Sequence, residues 1–351
     1  MTTLGSLFTG YGGLDMGIMT ALDPSARVAW TSDIEAGPCK LAATRWPDTP
    51  NLGDITSVDW DAVEPVDIIC GGSPCQDLSV AGKRAGMAPG TRSGLWESMF
   101  AAIKTIRPRL VVWENVQGAL SARSISALES RPGLLGNEPA RPTIRAVGRV
   151  VGDLATIGYD ACWRVVRASD AGAPHQRARL FVVGYPHGEP WGLRGATGPS
   201  EEACGRPLLD PAGLGIGDTR HMTGMLLPTP QATNATYSSA GYGPNLHEIA
   251  TSADMTASGP YAEAIARWEQ VTGRAAPPPS TPSRSAGGKP QLSTRFVEWM
   301  MGLPDGHVIG TDLALPREQQ IRLLGNGVVP QQAALAVRTL TETVLRYGAA
   351  Q

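Results

Sequence analysis

The 351-residue chain carries 30 Lys and Arg against 32 Asp and Glu, a net charge of −2, and is 42% hydrophobic. That length supports a substantial core and two domains, and no apolar run reaches the ~18–20 residues of a membrane-spanning helix. The near-neutral balance counts against a strongly basic nucleic-acid surface, because phosphate contacts need Lys and Arg.

In chain order, residues 4–8 read as a short strand, followed by a tight turn at Thr9-Gly10-Tyr11-Gly12-Gly13 and a helix from Leu14 to Leu22. Val28 to Thr31 reads as a second strand, Asp33 follows it, and a helix runs from about Pro38 to Trp46. Asp54-Ile55-Thr56 closes a third unit, and Val66 to Cys70 is then a fourth strand. Residues 76–94 are rich in Gly, Lys, Arg and Ser and read as a loop. A helix is predicted over Leu95 to Ile106 and a fifth strand over Leu110 to Trp113, ending at Glu114-Asn115. Ile144 to Ile157 reads as a helix, and Cys162 to Arg167 and Arg179 to Val183 as strands. Strands alternating with helices imply an α/β fold with a doubly wound sheet.

The texture changes at about Tyr185. Residues 186–290 are crowded with Gly, Pro, Ser and Thr and show little periodicity, which predicts a second, irregular domain or insertion. Regular patterning returns at Phe296-Val297-Glu298-Trp299-Met300 and in a helix from Gln331 to Tyr347. The expected division is therefore 1–185, 186–290 and a returning segment 291–351. Five scattered cysteines offer neither zinc spacing nor a disulfide framework, so no metal is expected and a reducing, cytoplasmic setting fits. Met1-Thr2-Thr3-Leu4-Gly5 lacks the basic start of a signal peptide.

Several residues converge on one edge of such a sheet. Gly-Gly-Ser-Pro-Cys-Gln-Asp-Leu-Ser at 71–79 directly follows a strand, which makes Cys75 a candidate nucleophile where α/β sheets bind ligands. Glycines between the first strand and helix allow close approach of a ligand. Asp33 could accept hydrogen bonds from ribose hydroxyls or merely cap a helix, and Asp54 has the same ambiguity. Glu114 ends an apolar strand, where burial would raise its pKa toward the range useful for proton exchange. Arg177 and Arg179 alternate at a strand start and so share a face.

Taken in order, the Gly turn, the acid, Asp-Ile, Pro-Cys-Gln, Glu-Asn-Val, Arg-Ala-Arg and Gly-Asn-Gly-Val at 325–328 strongly resemble the DNA cytosine-5 methyltransferase family of bacteria and phages. The resemblance covers about 1–185 and 292–340. It implies a Rossmann-like, S-adenosylmethionine-dependent methyltransferase sheet with a smaller irregular target-recognition domain. By resemblance Cys75 attacks the 6-carbon of a flipped cytosine, which turns the ring into an enamine that takes the methyl group. Glu114 would serve the ring nitrogen and exocyclic amine. Arg179 would contact the cytosine carbonyl, with Arg177 helping to order the thiolate or the flipped nucleotide. Gln76, Ser79 and Lys83 belong to a loop that closes over DNA. For the cofactor, the resemblance assigns Phe8, Gly10, Gly12 and Gly13 to the first loop and Asp33 to the ribose. Ile34 would cover the adenine face, and Asp54 and Ile55 its edge. Pro74, Leu95, Asn326 and Val328 complete the expected pocket.

The chain departs from the family pattern at Ser6, at His175 where Gln is usual, and at Gly327 where Ser is common. The implied partner is double-stranded DNA. A cognate restriction endonuclease acting separately, a monomeric state and a place in a bacterial cell or phage-infected host complete the expectation. The competing readings are tRNA cytosine-5 methylation and a catalytically inactive DNA-binding relative.

Overall fold

The computed structural model describes residues 1–73, 95–120, 123–124, 144–188, 225–232, 245–252, 255, 259–282 and 289–348. Its centre is a six-stranded sheet built from β1 (Thr3–Leu7), β2 (Arg27–Ser32), β3 (Ile68–Gly71), β4 (Leu110–Val116), β7 (Tyr159–Val166) and β8 (Arg179–Pro186). The order is β2-β1-β3-β4-β8-β7. The pairs β1–β2, β1–β3 and β3–β4 are parallel, whereas β8 runs antiparallel to both β4 and β7. Short ribbons β5 (Arg123–Ser124) with β6 (Ile144–Arg145) and β9 (Ser280–Thr281) with β10 (Gln291–Leu292) lie outside it.

Helices cover both faces, as near-continuous apolar strands require. Leu7, Ile69, Val111, Trp113, Leu180 and Val182 share a core with Trp96, Met99 and Ile103 of α3 (Trp96–Ile106) and Val150 and Leu154 of α4 (Ala146–Thr156). Their neighbours Leu4, Ile68, Cys70, Val112, Phe181 and Val183 point the other way. They meet Leu14 and Ile18 of α1 (Gly13–Leu22) and Val337 and Leu340 of α9 (Pro330–Gly348). The end of the described chain thus packs on its first helix. Within this second core Asp15, in the first turn of α1, accepts a 2.9 Å bond from the Cys70 thiol, and burial raises its pKa.

A third core joins Tyr11 and Leu41 of α2 (Ala36–Arg45) to α5 (Leu246–Ala250), α6 (Ala262–Thr272), α7 (Thr294–Met300) and α8 (Arg317–Asn326). Trp268 of α6 is wholly buried there and donates to the Trp299 carbonyl at 2.8 Å. Glu298 of α7 is buried too, and its carboxylate accepts the Gly306, Val308 and Ile309 N–H groups at 2.7, 2.6 and 3.1 Å.

Three local expectations change. Asp54-Ile55-Thr56 is no strand: the Asp54 side chain accepts the Thr56 N–H at 2.9 Å and caps a 3₁₀ turn at Ile55–Ser57, so Ile68–Gly71 is the third strand and not the fourth. The region expected to be irregular holds α6, whose Ala264 and Trp268 sit four apart on one buried face and whose end is closed by Gly273 at φ +64°. Arg177 precedes β8 and has φ +36°, so it does not alternate with Arg179 along an extended strand.

The seam between α1 and α9 is closest at Gly17, where a Cβ would stand 2.5 Å from Ala333 Cβ and 2.6 Å from the Pro330 oxygen. Gly17→Val is expected to cost about 1–3 kcal/mol of stability by overpacking. Urea unfolding measures it, and an unchanged midpoint would mean that the helices do not touch there.

Candidate active site

The parallel strands β1 to β4 end at one edge of the sheet, and the antiparallel β8 begins there. Val116, the last residue of β4, pairs with Arg179, the first of β8. This reversal of direction places an arginine from the start of one strand beside a glutamate from the end of another. Glu114 is 8% exposed, and its Oε1 forms an ion pair with Arg179 Nε at 3.0 Å. Burial pushes the Glu114 carboxyl up, while the Arg179 and Arg177 charges pull it back. The result is a desolvated acid held by one arginine. The Arg179 Nη1 also donates to the Ala178 carbonyl at 2.9 Å.

The same strand end holds the chain that leads to the Pro-Cys motif. Ser73 Oγ accepts from Trp113 Nε1 at 3.0 Å, and the Ser73 carbonyl accepts from Asn115 Nδ2 at 3.1 Å. Asn115 Oδ1 takes the Val116 N–H at 2.9 Å, which turns the amide nitrogen toward Ser73. Gly72 is needed because a Cβ there would approach Glu114 Oε2 to 2.8 Å. Pro74, Cys75, Gln76, Ser79 and Lys83 lie outside the described residues.

On the other side of the edge, Phe8 has φ +54° and donates its N–H to the Ser32 carbonyl at 2.8 Å. Asp33 follows β2; its two oxygens accept the Gly10 and Glu35 N–H groups at 3.0 and 2.9 Å, and burial raises its pKa. Each oxygen keeps a further lone pair. Ile34 beside it is 70% exposed, an isolated apolar face next to an acceptor. Asp54 is solvated and its pKa is lowered by Thr56, whereas the Ile55 side chain is buried in the core, leaving only its backbone for a ligand. Leu95 is half-buried at the start of α3.

Two of the expected cofactor glycines face the protein itself. A Cβ at Gly12 would meet the Trp46 ring at 2.3 Å, and one at Gly13 the Val328 carbonyl oxygen at 2.1 Å. Val328 is buried, and its carbonyl accepts from the Tyr11 hydroxyl at 2.8 Å. Gly327 lies under the Tyr11 ring, and Asn326 just before it is exposed.

Arg177 is buried, and its guanidinium donates to the carbonyls of Pro230 at 3.0 Å, Gly325 at 2.9 Å and Gly327 at 2.5 Å. His175, one of the three departures from the family pattern, is fully buried; its Nε2 donates to the Met300 carbonyl at 3.1 Å. Burial and Arg177 lower its pKa to about 3, so it is neutral and structural. The sequence reading missed Tyr11, Gly72, Ser73, Asn115 and Pro230 as parts of the site. The Gly-Gly before Ser73 and the Asn inside Glu-Asn-Val were the available signals. Among the described residues no group of three or more His, Cys, Asp or Glu is placed to hold a metal, and no helix is long and apolar enough to cross a membrane.

The family model described as C-5 cytosine-specific DNA methylase matches residues 2–203. The chain is 34% identical over 208 residues to the type II methyltransferase M.AquIA of Picosynechococcus sp., covering 56% of this chain and 78% of the relative. It is 27% identical over 187 residues to M.NlaIV of Neisseria lactamica, covering 52% of this chain but only 41% of that relative. The S. pombe Dnmt2 methyltransferase structure superposes with a TM-score of 0.60 at 15% identity over 98% of this chain and 99% of that one, a likeness of fold. With a mixed six-stranded sheet, a buried Glu–Arg pair at its edge and a family match over more than half its length, the chain belongs to the C-5 cytosine-specific DNA methylase family.

Proposed function

We propose that this protein transfers a methyl group from S-adenosylmethionine to the 5-carbon of cytosine in DNA through a covalent adduct with Cys75. The observation that carries the reading is the buried Glu114–Arg179 pair, beside which Ser73 is anchored two residues before Cys75. Family membership supplies the substrate class.

The residues at the β1 and β2 ends fit the cofactor chemically. Asp33 offers carboxylate lone pairs suited to ribose hydroxyls, and exposed Ile34 offers an apolar face suited to adenine. The Ile55 backbone and Asp54 would meet the adenine edge. Phe8 and Gly10, with Pro74, Leu95, Asn326 and Val328, would close the pocket, while Gly12 and Gly13 act by letting the turn pack on Trp46 and Val328. S-adenosylmethionine, when bound, supplies an electrophilic methyl group.

The protein's own residues then do the rest. Cys75 adds to the 6-carbon of the ring and raises electron density at the 5-carbon. Glu114, its carboxyl raised by burial, hydrogen-bonds the ring nitrogen and exocyclic amine as charge develops there. Arg179 holds Glu114 in place and directs its remaining N–H groups to the ring carbonyl. After transfer, loss of the 5-proton expels Cys75. The base must leave the duplex for these groups to reach it. Gln76, Ser79 and Lys83 would contact the DNA. Residues 1–185 and 291–351 would form the catalytic unit, with sequence read by 186–290.

The deciding assay is transfer from labelled S-adenosylmethionine to DNA and to tRNA, with base-resolution mapping. Labelled tRNA with unlabelled DNA would overturn the substrate assignment. Cys75→Ala is expected to abolish turnover while S-adenosylhomocysteine binding by calorimetry stays near wild type. DNA containing 5-fluorocytosine should trap the wild-type protein covalently, and methylation by the alanine variant would sink the nucleophile. Glu114→Gln is expected to lower the single-turnover rate by roughly 10²-fold or more, the scale of general acid–base groups. A near-normal rate would make Glu114 structural.

A further inference from the structure

Arg177 does not point where a base-ordering arginine would be expected to point. Its guanidinium is buried and spends two nitrogens on backbone carbonyls from two distant segments, Pro230 on one side and Gly325 and Gly327 on the other. Its backbone N–H donates to Thr229 Oγ1 at 3.1 Å, and a φ of +36° turns the residue out of the line of β8. Next to this contact the two segments touch directly. A Cβ at Gly325 would fall 2.2 Å from the Ala232 nitrogen and 2.3 Å from the Gln231 carbonyl carbon. On its far side the 325–328 segment is fastened to the first loop, with Gly327 against the Tyr11 ring and the Val328 carbonyl on the Tyr11 hydroxyl. Leu227 continues the other segment by donating its N–H to the Pro174 carbonyl at 2.8 Å.

A guanidinium stays charged at any accessible pH, and a buried charge is costly unless its partners stay in place. Three carbonyls gathered on one buried cation are therefore kept or lost together. If 325–328 lifts, the cation loses two acceptors and 229–232 loses the surface it packs on. If 229–232 lifts, the same cation loses Pro230, and Gly325 loses its neighbour.

We propose that Arg177 is a positioning residue that couples ligand binding at the 325–328 wall to the order of residues 227–232. The proposal rests on the cofactor reading of Asn326 and Val328 above. A ligand that stabilises 325–328 thereby stabilises 227–232 through Arg177, and ordering of 227–232 strengthens ligand binding by the same factor, since coupling is reciprocal. Residues 227–232 lie in the stretch proposed to read DNA, so the clamp links the two halves of the reaction without contacting the base.

Amide hydrogen exchange by mass spectrometry, with and without S-adenosylhomocysteine, tests this alongside calorimetry. In the wild type the ligand is expected to slow exchange in peptides covering both 225–232 and 325–328. In Arg177→Lys, which keeps the charge but loses the planar fork, affinity should fall about tenfold or more and protection should be confined to 325–328. Thr229→Val removes only the acceptor on the far side of the clamp. It should weaken the ligand roughly threefold, on the scale of one lost hydrogen bond, although Thr229 lies outside the pocket. If Arg177→Lys fails to fold, Thr229→Val decides. Wild-type affinity in Thr229→Val, or paired protection retained in Arg177→Lys, overturns the coupling. Protection of 325–328 alone in the wild type overturns it while leaving the cofactor reading intact. No binding heat in the wild type overturns the cofactor reading and the coupling with it; loss of protection in both segments of ligand-free Arg177→Lys would then show that the clamp alone stands.

Discussion

One buried guanidinium ties the chain together where its pieces converge. Arg177 collects the carbonyls of Pro230, Gly325 and Gly327, and these come from stretches that share no secondary-structure element with β8. Backbone carbonyls that a helix or sheet leaves unpaired, including those of a helix's last turn, need partners when buried. A cation with a rigid fork of donors satisfies three at once. The consequence reaches both ends of the described chain. The Gly325-to-Val328 stretch lies against the first Gly-rich turn through Tyr11, and α9 then runs back along α1 under the sheet. Residues separated by more than 300 positions therefore pack directly against one another.

Glu114 illustrates a second constraint, the tension between burial and charge. Its strand delivers it to the edge largely out of solvent, and desolvation raises its pKa. Arg179 at 3.0 Å returns part of the stabilisation of the ionised form. Gly72 completes the arrangement, since any side chain there would collide with the carboxylate. The placement of Arg179 depends on β8 running against β4, so this change of direction is also what pairs the acid with its cation.

The glycines of the first turn are required by the protein's own packing. Gly12 and Gly13 suggest space for a ligand, yet at both positions the space is taken by the protein: Trp46 in one case and the Val328 carbonyl in the other. Close approach is the shared requirement, and sequence alone does not say what approaches. Asp54 is similar. It was expected to close a third strand-containing unit, but a Thr two residues later gave its carboxylate a local partner, and a capped turn formed instead. Trp268 was passed over because α6 is flanked by Gly- and Pro-rich stretches that hide its period.

Local pattern was enough to place most of the central strands, the helices between them, and Asp33, Glu114 and Arg179 at strand ends. Apolar period and turn chemistry are short-range properties, so they survive in the linear chain. The motif order carried the family as well. What tertiary structure decided was direction and partner: that β8 is antiparallel, that Arg179 holds Glu114, and that Arg177 turns away to grip three carbonyls. It also decided that Asn115 and Trp113 secure Ser73 ahead of the Pro-Cys motif. These choices depend on which strands become neighbours and on a single left-handed backbone angle at Arg177. Neither is encoded in the spacing of side chains along one element, because each is set by contacts between residues tens to hundreds of positions apart.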